Sequence, residues 1–341
     1  MLNSFFTPAW ISAAILKEPL IHAGRVSRGA IILNHVDNVV ELLPELAQYF
    51  IIIERLGFCG ITHSAVAEIK FVEDRSTLEE TKVLFPRAEL LEFSSADFVD
   101  STIFRPLEIA PEFDVIQISC WSPRKRVELF IETAARAQHL TFVHLGHFEQ
   151  GGTQEELEYR DKCVRLVQTS GARVSFPLAG RDSNDDLPWD KAVINQWINK
   201  ARIGVLTATP EGRNRFKMEC LAADRPFLVA TDAGAATQEH INAKTGALFE
   251  PNVRDLQNAI TTTLERRADF APREYLLEHS GRVNSLRKLR EALRAVCSKT
   301  GDAFRFEDIE WDGRNEGFTW GEVAFSSLRE RLHQYREAMK G

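Results

Sequence analysis

An α/β chain built from two parallel-sheet domains is what three features of the sequence predict. The first is size: 341 residues exceed the length at which one core usually stops growing, so two domains of roughly 100 to 200 residues are expected. The second is a series of short apolar, partly β-branched runs at 114–118, 141–146, 173–176, 203–207 and 227–230. Each is followed by a helical pattern or a loop, which is how a doubly wound sheet reads when its strands are buried on both faces. The third is the same alternation upstream, with an apolar strand at 29–35, a helical stretch at 39–49 and another apolar segment at 60–64, which is βαβ material around a parallel sheet.

Composition narrows the function classes. An apolar content of 44% supports a globular chain, while a formal charge of −7 and a pI near 5.8 argue against a general nucleic-acid binder, because phosphate-backbone affinity needs a net basic surface. The five cysteines (59, 120, 163, 220 and 297) are odd in number and scattered. They read as reduced thiols in the cytoplasm, without metal-ligand spacing. No apolar run reaches 18 residues, so no helix is expected to span a membrane. The first 16 residues are apolar enough to suggest a signal peptide, yet they lack a basic start and carry Pro8. A helix from about Pro8 is the expectation, with a membrane-surface contact through Phe5, Phe6 and Trp10 as a lesser alternative.

The stretch 203–223 carries the most chemistry. A strand at 203–207 leads through a turn marked by Gly212 into a helical pattern over 216–223, and Glu211 and Glu219 stand seven residues apart across it. A strand-turn-helix unit aims the free N–H groups of the helix's first turn at whatever binds above the strand's carboxyl end, where open α/β sheets hold anions. Glu211 in the turn would face the ligand's reacting end. Glu219, two helical turns on, about 12 Å along the axis at 1.5 Å per residue, would reach another part of a long, phosphorylated ligand. Elsewhere, Asp182-Ser183-Asn184-Asp185-Asp186 imitates an Asp-x-Asp metal motif, but no apolar strand leads into it and a solvated acidic loop is expected. The charged segment 266–317 contains a basic amphipathic helix at 286–294, read as a solvated face or, with Arg287, Lys288, Arg290, Arg294 and Lys299, as a contact for an anionic membrane surface. A last helix is expected at 322–339.

The run from Glu211 through Glu219 and on to Gly234 resembles the donor-site core of the retaining glycosyltransferases of family 4. Further segments are similar to that family in the same order: Val99-Asp100-Ser101-Thr102-Ile103-Phe104-Arg105-Pro106 to its interdomain segment, Phe113 to Ile118 with Ser122-Pro123-Arg124-Lys125 to its first nucleotide-domain strand and phosphate loop, Thr245 to Pro251 to its GxLFxP pattern, and Phe318-Thr319-Trp320-Gly321-Glu322 to its ending. The resemblance implies a GT-B fold, with two Rossmann-like domains facing a cleft and a C-terminal helix crossing back to the N-terminal domain. The expected boundaries are 1–107 for a short acceptor-side domain, 108–317 for the donor domain carrying the basic helical insertion, and 318–341 for the crossing helix.

It also implies roles. Lys125 would contact the donor diphosphate as a point charge, sharing the task with an Arg that the family carries five residues earlier. Here that position is Cys120, so Arg124, Arg126 or Arg215 must substitute or donor binding fails. Glu219 would accept hydrogen bonds from the ribose and Glu211 from the donor sugar, while Gly212, Arg213, Asn214 and Arg215 open the helix toward sugar or phosphate, with Asn214 alternatively a plain cap. The loop from Asp232 through Gly234 would lie near base and ribose. His35 matches a family position that faces the acceptor, whereas His144 and His147 read as structural. The implied activity is transfer from a UDP- or GDP-sugar to a hydroxyl of a glycan or lipid-linked acceptor, with retention of configuration and no metal or other cofactor, by a cytoplasmic enzyme at most peripheral to the membrane. A non-catalytic GT-B-like scaffold is the alternative, and a sugar-nucleotide epimerase a second one.

Overall fold

The computed structural model of the chain describes residues 12–55, 64–149, 151–183, 190–311, 313 and 319–340. Their strands, in chain order, are β1 (Ser12–Lys17), β2 (Leu20–His22), β3 (Arg25–Ser27), β4 (Gly29–Leu33), β5 (Phe50–Arg55), β6 (Ile69–Phe71), β7 (Glu89–Leu91), β8 (Phe113–Cys120), β9 (Phe142–His147), β10 (Val174–Ser175), β11 (Ala201–Leu206), β12 (Phe227–Ala230), β13 (Gly246–Phe249) and β14 (Thr319–Trp320). The chain divides into two compact units, Val99–Gly281 and the pair Met1–Phe98 with Arg282–Gly341.

The unit Val99–Gly281 holds a six-stranded sheet in the order β10-β9-β8-β11-β12-β13, with every neighbouring pair parallel. Counted along the unit this is 3-2-1-4-5-6, the doubly wound order whose direction reverses between the first and fourth strands. The cause is local: β12 is Phe-Leu-Val-Ala with all four residues buried, and such continuous apolar runs are stable only when helices cover both faces. Helix Val127–Arg136 packs against Gln154–Ser170 and Val253–Glu265, and helix Pro272–His279 against Arg215–Ala222. The segment similar to the family's interdomain stretch is tied into this unit, for Asn195 and Asn199 Nδ2 both donate to the Arg105 carbonyl (3.1 and 3.0 Å). Each strand expected between 114 and 230 is present.

The other unit departs from expectation more. Its sheet runs β14-β1-β4-β5-β6-β7; β4 to β7 are parallel, but β1 pairs antiparallel with both β4 and β14. Ser12–Lys17 is therefore a strand where a helix from about Pro8 is expected. Ala13, Ala14 and Ile15 sit in register with Leu33, Ile32 and Ile31, and that pairing overrides the helix preference of the alanines. β5 is a strand absent from the expectation, following directly on the helix Leu46–Tyr49. Residues alternate across it with the period of two that a strand imposes. Ile51 and Ile53 join one core with Leu286, Leu289, Leu293, Val296 and Trp311. Phe50 and Ile52 join the other with Val39, Leu46, Ala324, Leu328 and Leu332. The helix Gly281–Thr300 thus covers one face of this sheet and Gly321–Ala338 the other. The basic helix accordingly belongs to the first sheet and not to a donor domain extending to 317, because its leucine stripe is what buries Ile51 and Ile53.

Its cations are largely occupied. Arg287 pairs with Glu291 (2.8 Å), Arg294 with Glu307 (2.6 Å) and Lys299 with Glu89 (2.6 Å), while Lys288 Nζ lies 5.6 Å from the Phe93 ring centre. Residues 1–11, 56–63, 184–189 and 314–318, which include Phe5, Phe6, Trp10, the 60–63 segment, Asp185, Asp186 and Phe318, lie outside the described residues. Among the described residues no helix is long and apolar enough to cross a membrane.

Candidate functional site

At the switch point the chain leaves β8 toward β9 and leaves β11 toward β12, so the carboxyl ends of these two neighbours open a crevice that neither connection covers. The residues that follow them are the ones the sequence singles out. After β8 the chain makes a short 3₁₀ turn, Pro123–Lys125, and then places Arg126 in the left-handed region (φ 47°, ψ 48°) before helix Val127–Arg136. A non-glycine residue held there costs about 1 to 2 kcal/mol, and a buried polar network holds it. Thr207, just past β11, directs its Oγ1 at the Lys125 and Arg126 carbonyls (2.6 and 3.2 Å). Gln117 Nε2 donates to Thr207 Oγ1 (3.0 Å) and the Lys125 carbonyl (3.3 Å) from within β8. Gln117 and Thr207 are not among the expected site residues. A glutamine within one apolar strand and a threonine just past another were the signal available for them.

The loop presents three cations. Lys125, only 7% exposed, directs Nζ at Glu211 Oε2. Arg124 NH1 reaches the same oxygen (3.1 Å) and the Pro210 carbonyl (3.2 Å), and its NH2 lies 3.5 Å from Glu149 Oε2. Arg126 makes a forked pair with Asp232 (3.0 and 2.7 Å). The Glu211 backbone is fixed on both sides: its N–H donates to the Ala233 carbonyl (2.9 Å), and Thr237 Oγ1 lies 2.7 and 2.8 Å from the carbonyls of Glu211 and Gly212. Gly234 (φ +111°) allows that approach, since a Cβ there would stand 3.3 Å from the Glu211 carbonyl oxygen. Thr237 is a further residue that the sequence does not flag.

Other expected site residues are engaged differently. The helix begins at Arg215, so only Arg215 to Glu219 is helical between the two glutamates. The expected rise of two turns becomes about one turn, roughly 6 Å at 1.5 Å per residue. Asn214 is the cap, its Oδ1 accepting from the Lys217 N–H (2.9 Å). Arg213 is 9% exposed and pairs with Glu239. Glu219 is 3% exposed on a helix whose residues from Phe216 to Ala222 are all buried. His35 belongs to the other unit. It sits in the left-handed region (φ 48°) before helix Val36–Leu42, and burial lowers the pKa of its ring.

Cys120 is a buried thiol whose Sγ lies 3.5 Å from Glu149 Oε2; burial first, and Glu149 beside it, push its pKa up to about 12. Arg124, four residues on, lies against the same carboxylate oxygen, its NH2 3.5 Å from Glu149 Oε2. His144 is fully buried, with Nε2 3.0 Å from Ser119 Oγ and its ring edge-on to Trp121 at 4.6 Å. Burial and the neighbouring His147 lower its pKa to about 3, and burial lowers that of His147 to about 4, so both imidazoles are neutral at pH 7. Gly146 makes room for Trp121, whose ring atoms would stand 2.1 Å from a Cβ there. Among the described residues no three His, Cys, Asp or Glu converge in an arrangement that could hold a metal ion. Asp182, at the start of the acidic loop, is taken up by Arg160 NH1 (2.7 Å).

No protein-family model and no curated protein matches the sequence. Solved structures do match in fold. Sucrose-phosphate synthase from Thermosynechococcus elongatus aligns over 77% of this chain and 73% of its own, with 16% identity and a TM-score of 0.57. Anabaena HepE in complex with UDP aligns over 75% and 76%, with 16% identity and a TM-score of 0.58. A glycosyltransferase from Rickettsia africae aligns over 75% and 81%, with 13% identity and a TM-score of 0.54. The chain therefore has the fold of these GT-B glycosyltransferases, with a parallel Rossmann-like sheet as one of its two units.

Proposed function

We propose that the protein is a glycosyltransferase that moves a sugar from a UDP- or GDP-sugar to a hydroxyl of a glycan or lipid-linked acceptor, with retention of configuration and without a metal ion. The observation that carries the reading is the convergence of Arg124, Lys125 and Glu211 at the switch point between β8 and β11, where an anionic ligand meets cations preset by a strained, hydrogen-bonded turn. Lys125 and Arg124 would hold the departing diphosphate, whose charge grows as the glycosidic bond breaks. In this role they supply the electrostatic stabilisation that a metal supplies elsewhere. Glu211 would accept from sugar hydroxyls and fix the ring, and Gly234 would let its loop approach. With retention, the acceptor hydroxyl attacks the face that the diphosphate leaves, and the leaving phosphate takes its proton; the chain then contributes alignment and charge, and no base. The fold shared with UDP-bound HepE supports the donor class, and the buried, unpaired thiols of Cys120, Cys163, Cys220 and Cys297 support a cytoplasmic setting.

A second reading, a non-catalytic relative, is favoured by Cys120 standing where the resemblance expects an arginine. Calorimetric titration with UDP, GDP and ADP in the presence of EDTA separates the two. Micromolar-range binding of one nucleotide, lost in Lys125→Ala together with roughly 100- to 1000-fold of transfer, is the result expected of the enzyme. Full activity in Lys125→Ala, or binding that requires a divalent ion, overturns it, and a null with all three nucleotides leaves the scaffold.

A further inference from the structure

Each cation of the Pro123–Arg126 turn is already held by a carboxylate of the same chain. Lys125 and Arg124 share Glu211 Oε2, Arg124 also faces Glu149, and Arg126 is forked onto Asp232. Three positive and three negative side chains leave the turn with no net charge, so a diphosphate meets no free cation there. It has to take one from a carboxylate. The three carboxylates are not equally easy to displace. The side chains of Glu149 and Asp232 are 57% and 43% exposed, and water can solvate them once released. Glu211 is 14% exposed, with its backbone pinned by Ala233 and Thr237, so only its side chain can swing. A largely buried carboxylate that loses its cations without gaining hydrogen-bond donors is costly.

We infer that Glu211 competes with the donor diphosphate for Lys125 and Arg124 and so makes the site prefer a sugar nucleotide to the bare nucleoside diphosphate. This rests on the donor-site reading above and deepens it. A sugar nucleotide that pushes Glu211 off Lys125 and Arg124 brings hydroxyls which the displaced carboxylate can accept from. A nucleoside diphosphate pushes it off and brings none. After transfer the sugar is gone, the hydroxyl donors go with it, and Glu211 returns to Lys125 and Arg124, which drives the product out. One side chain then serves donor recognition while the sugar is attached and product release once it has left.

The test is calorimetric titration of the wild type, Glu211→Gln, Glu211→Ala and Lys125→Ala with UDP and UDP-glucose, and with GDP and GDP-mannose. Removing the competing charge is expected to tighten binding of the bare diphosphate about tenfold, equivalent to about 1.4 kcal/mol, in both Glu211 variants, with a smaller gain or a loss for the sugar nucleotide, so that the preference between the two shrinks. Lys125→Ala is expected to lose both ligands. If the wild type binds UDP or GDP and both Glu211 variants bind it equally or more weakly, the competing role is wrong and the donor site stands. If none of the four proteins binds either nucleotide, the donor-site reading falls and takes this inference with it. Glu211→Gln is nearly isosteric and Glu211→Ala removes the side chain, so a folding defect confined to one variant leaves the other to decide.

Discussion

The two sheets of this molecule are built from similar amounts of apolar sequence, yet one was legible residue by residue and the other was not. In the sheet from β8 to β13 five strands carry their own signal, β13 (Gly246–Phe249) being the one not expected, and they meet their sequence neighbours through right-sized connections, so local pattern and global topology agree. In the sheet that runs β14-β1-β4-β5-β6-β7, the strand β1 is completed by residues Thr319 and Trp320, and one whole face is covered by a helix that begins at Gly281. Those partners lie hundreds of residues away in the chain, where no periodicity reports them. Local pattern thus fixes what an element is, and only long-range packing fixes what it covers.

The sharpest way to break this comparison is to remove the packing that assigns the helix Gly281–Thr300 to the first sheet. Leu289 is fully buried among Ile51, Ile53 and Trp311. Leu289→Ala should destabilise the protein by about 3 kcal/mol, from lost transfer energy plus the cavity left behind. Hydrogen exchange read by mass spectrometry should show faster opening in Phe50–Arg55 and unchanged protection in Phe113–Cys120. Faster exchange in β8 with β5 unaffected would return the helix to the donor domain and restore the boundary at 317.

The residues of β1 show why that boundary could not be read. Ser-Ala-Ala-Ile-Leu-Lys buried on one edge looks the same in a helix and in a strand, because short apolar runs carry no distinguishing period. The stripe Leu286, Leu289, Leu293 and Val296 did announce a helix with one apolar side, but a stripe names no partner, and its arginines suggested a membrane where the structure supplies Glu291 and Glu307. At the candidate site the split is similar. Lys125, Glu211 and the turn between strand and helix were visible as types at spacings. The Gln117–Thr207 support, the Thr237 clamp and the pairing of each cation with a carboxylate were not, since each joins residues about 25 to 110 positions apart through side-chain geometry.

Acid response follows from two buried histidines of the unit Val99–Gly281. The His144 ring is held neutral with its pKa lowered to about 3 from 6.5, so the unfolded chain takes up a proton near pH 6.5 that the folded one refuses until about pH 3. Stability from the neutral ring is full above 6.5 and is lost as pH falls through that value toward 3, at up to about 1.4 kcal/mol per pH unit. His147, lowered to about 4, adds to the slope over the same window. Urea melts at pH 7, 6 and 5 should therefore lose midpoint steadily, and His144→Gln should flatten the dependence while lowering stability at pH 7. An equal slope in wild type and variant would show that other groups set it.

The smallest expected effect concerns the basic helix, and it sharpens the comparison by asking what its charges do once its leucines are spoken for. A cation near an anionic leaflet gains at most about 1 kcal/mol. Here Arg287, Arg294 and Lys299 would first have to leave Glu291, Glu307 and Glu89, exposed pairs each worth roughly 0.2 to 1 kcal/mol. The two quantities nearly cancel, so the helix should add little membrane affinity. Arg287→Glu combined with Arg294→Glu should leave pelleting with phosphatidylglycerol vesicles at low salt within about twofold of the wild type, a difference of about 0.4 kcal/mol at RT of 0.59. A drop to the level seen with phosphatidylcholine would show that the pairs open at an anionic surface, and that the helix serves a bilayer with its outer face as well as the sheet with its inner one.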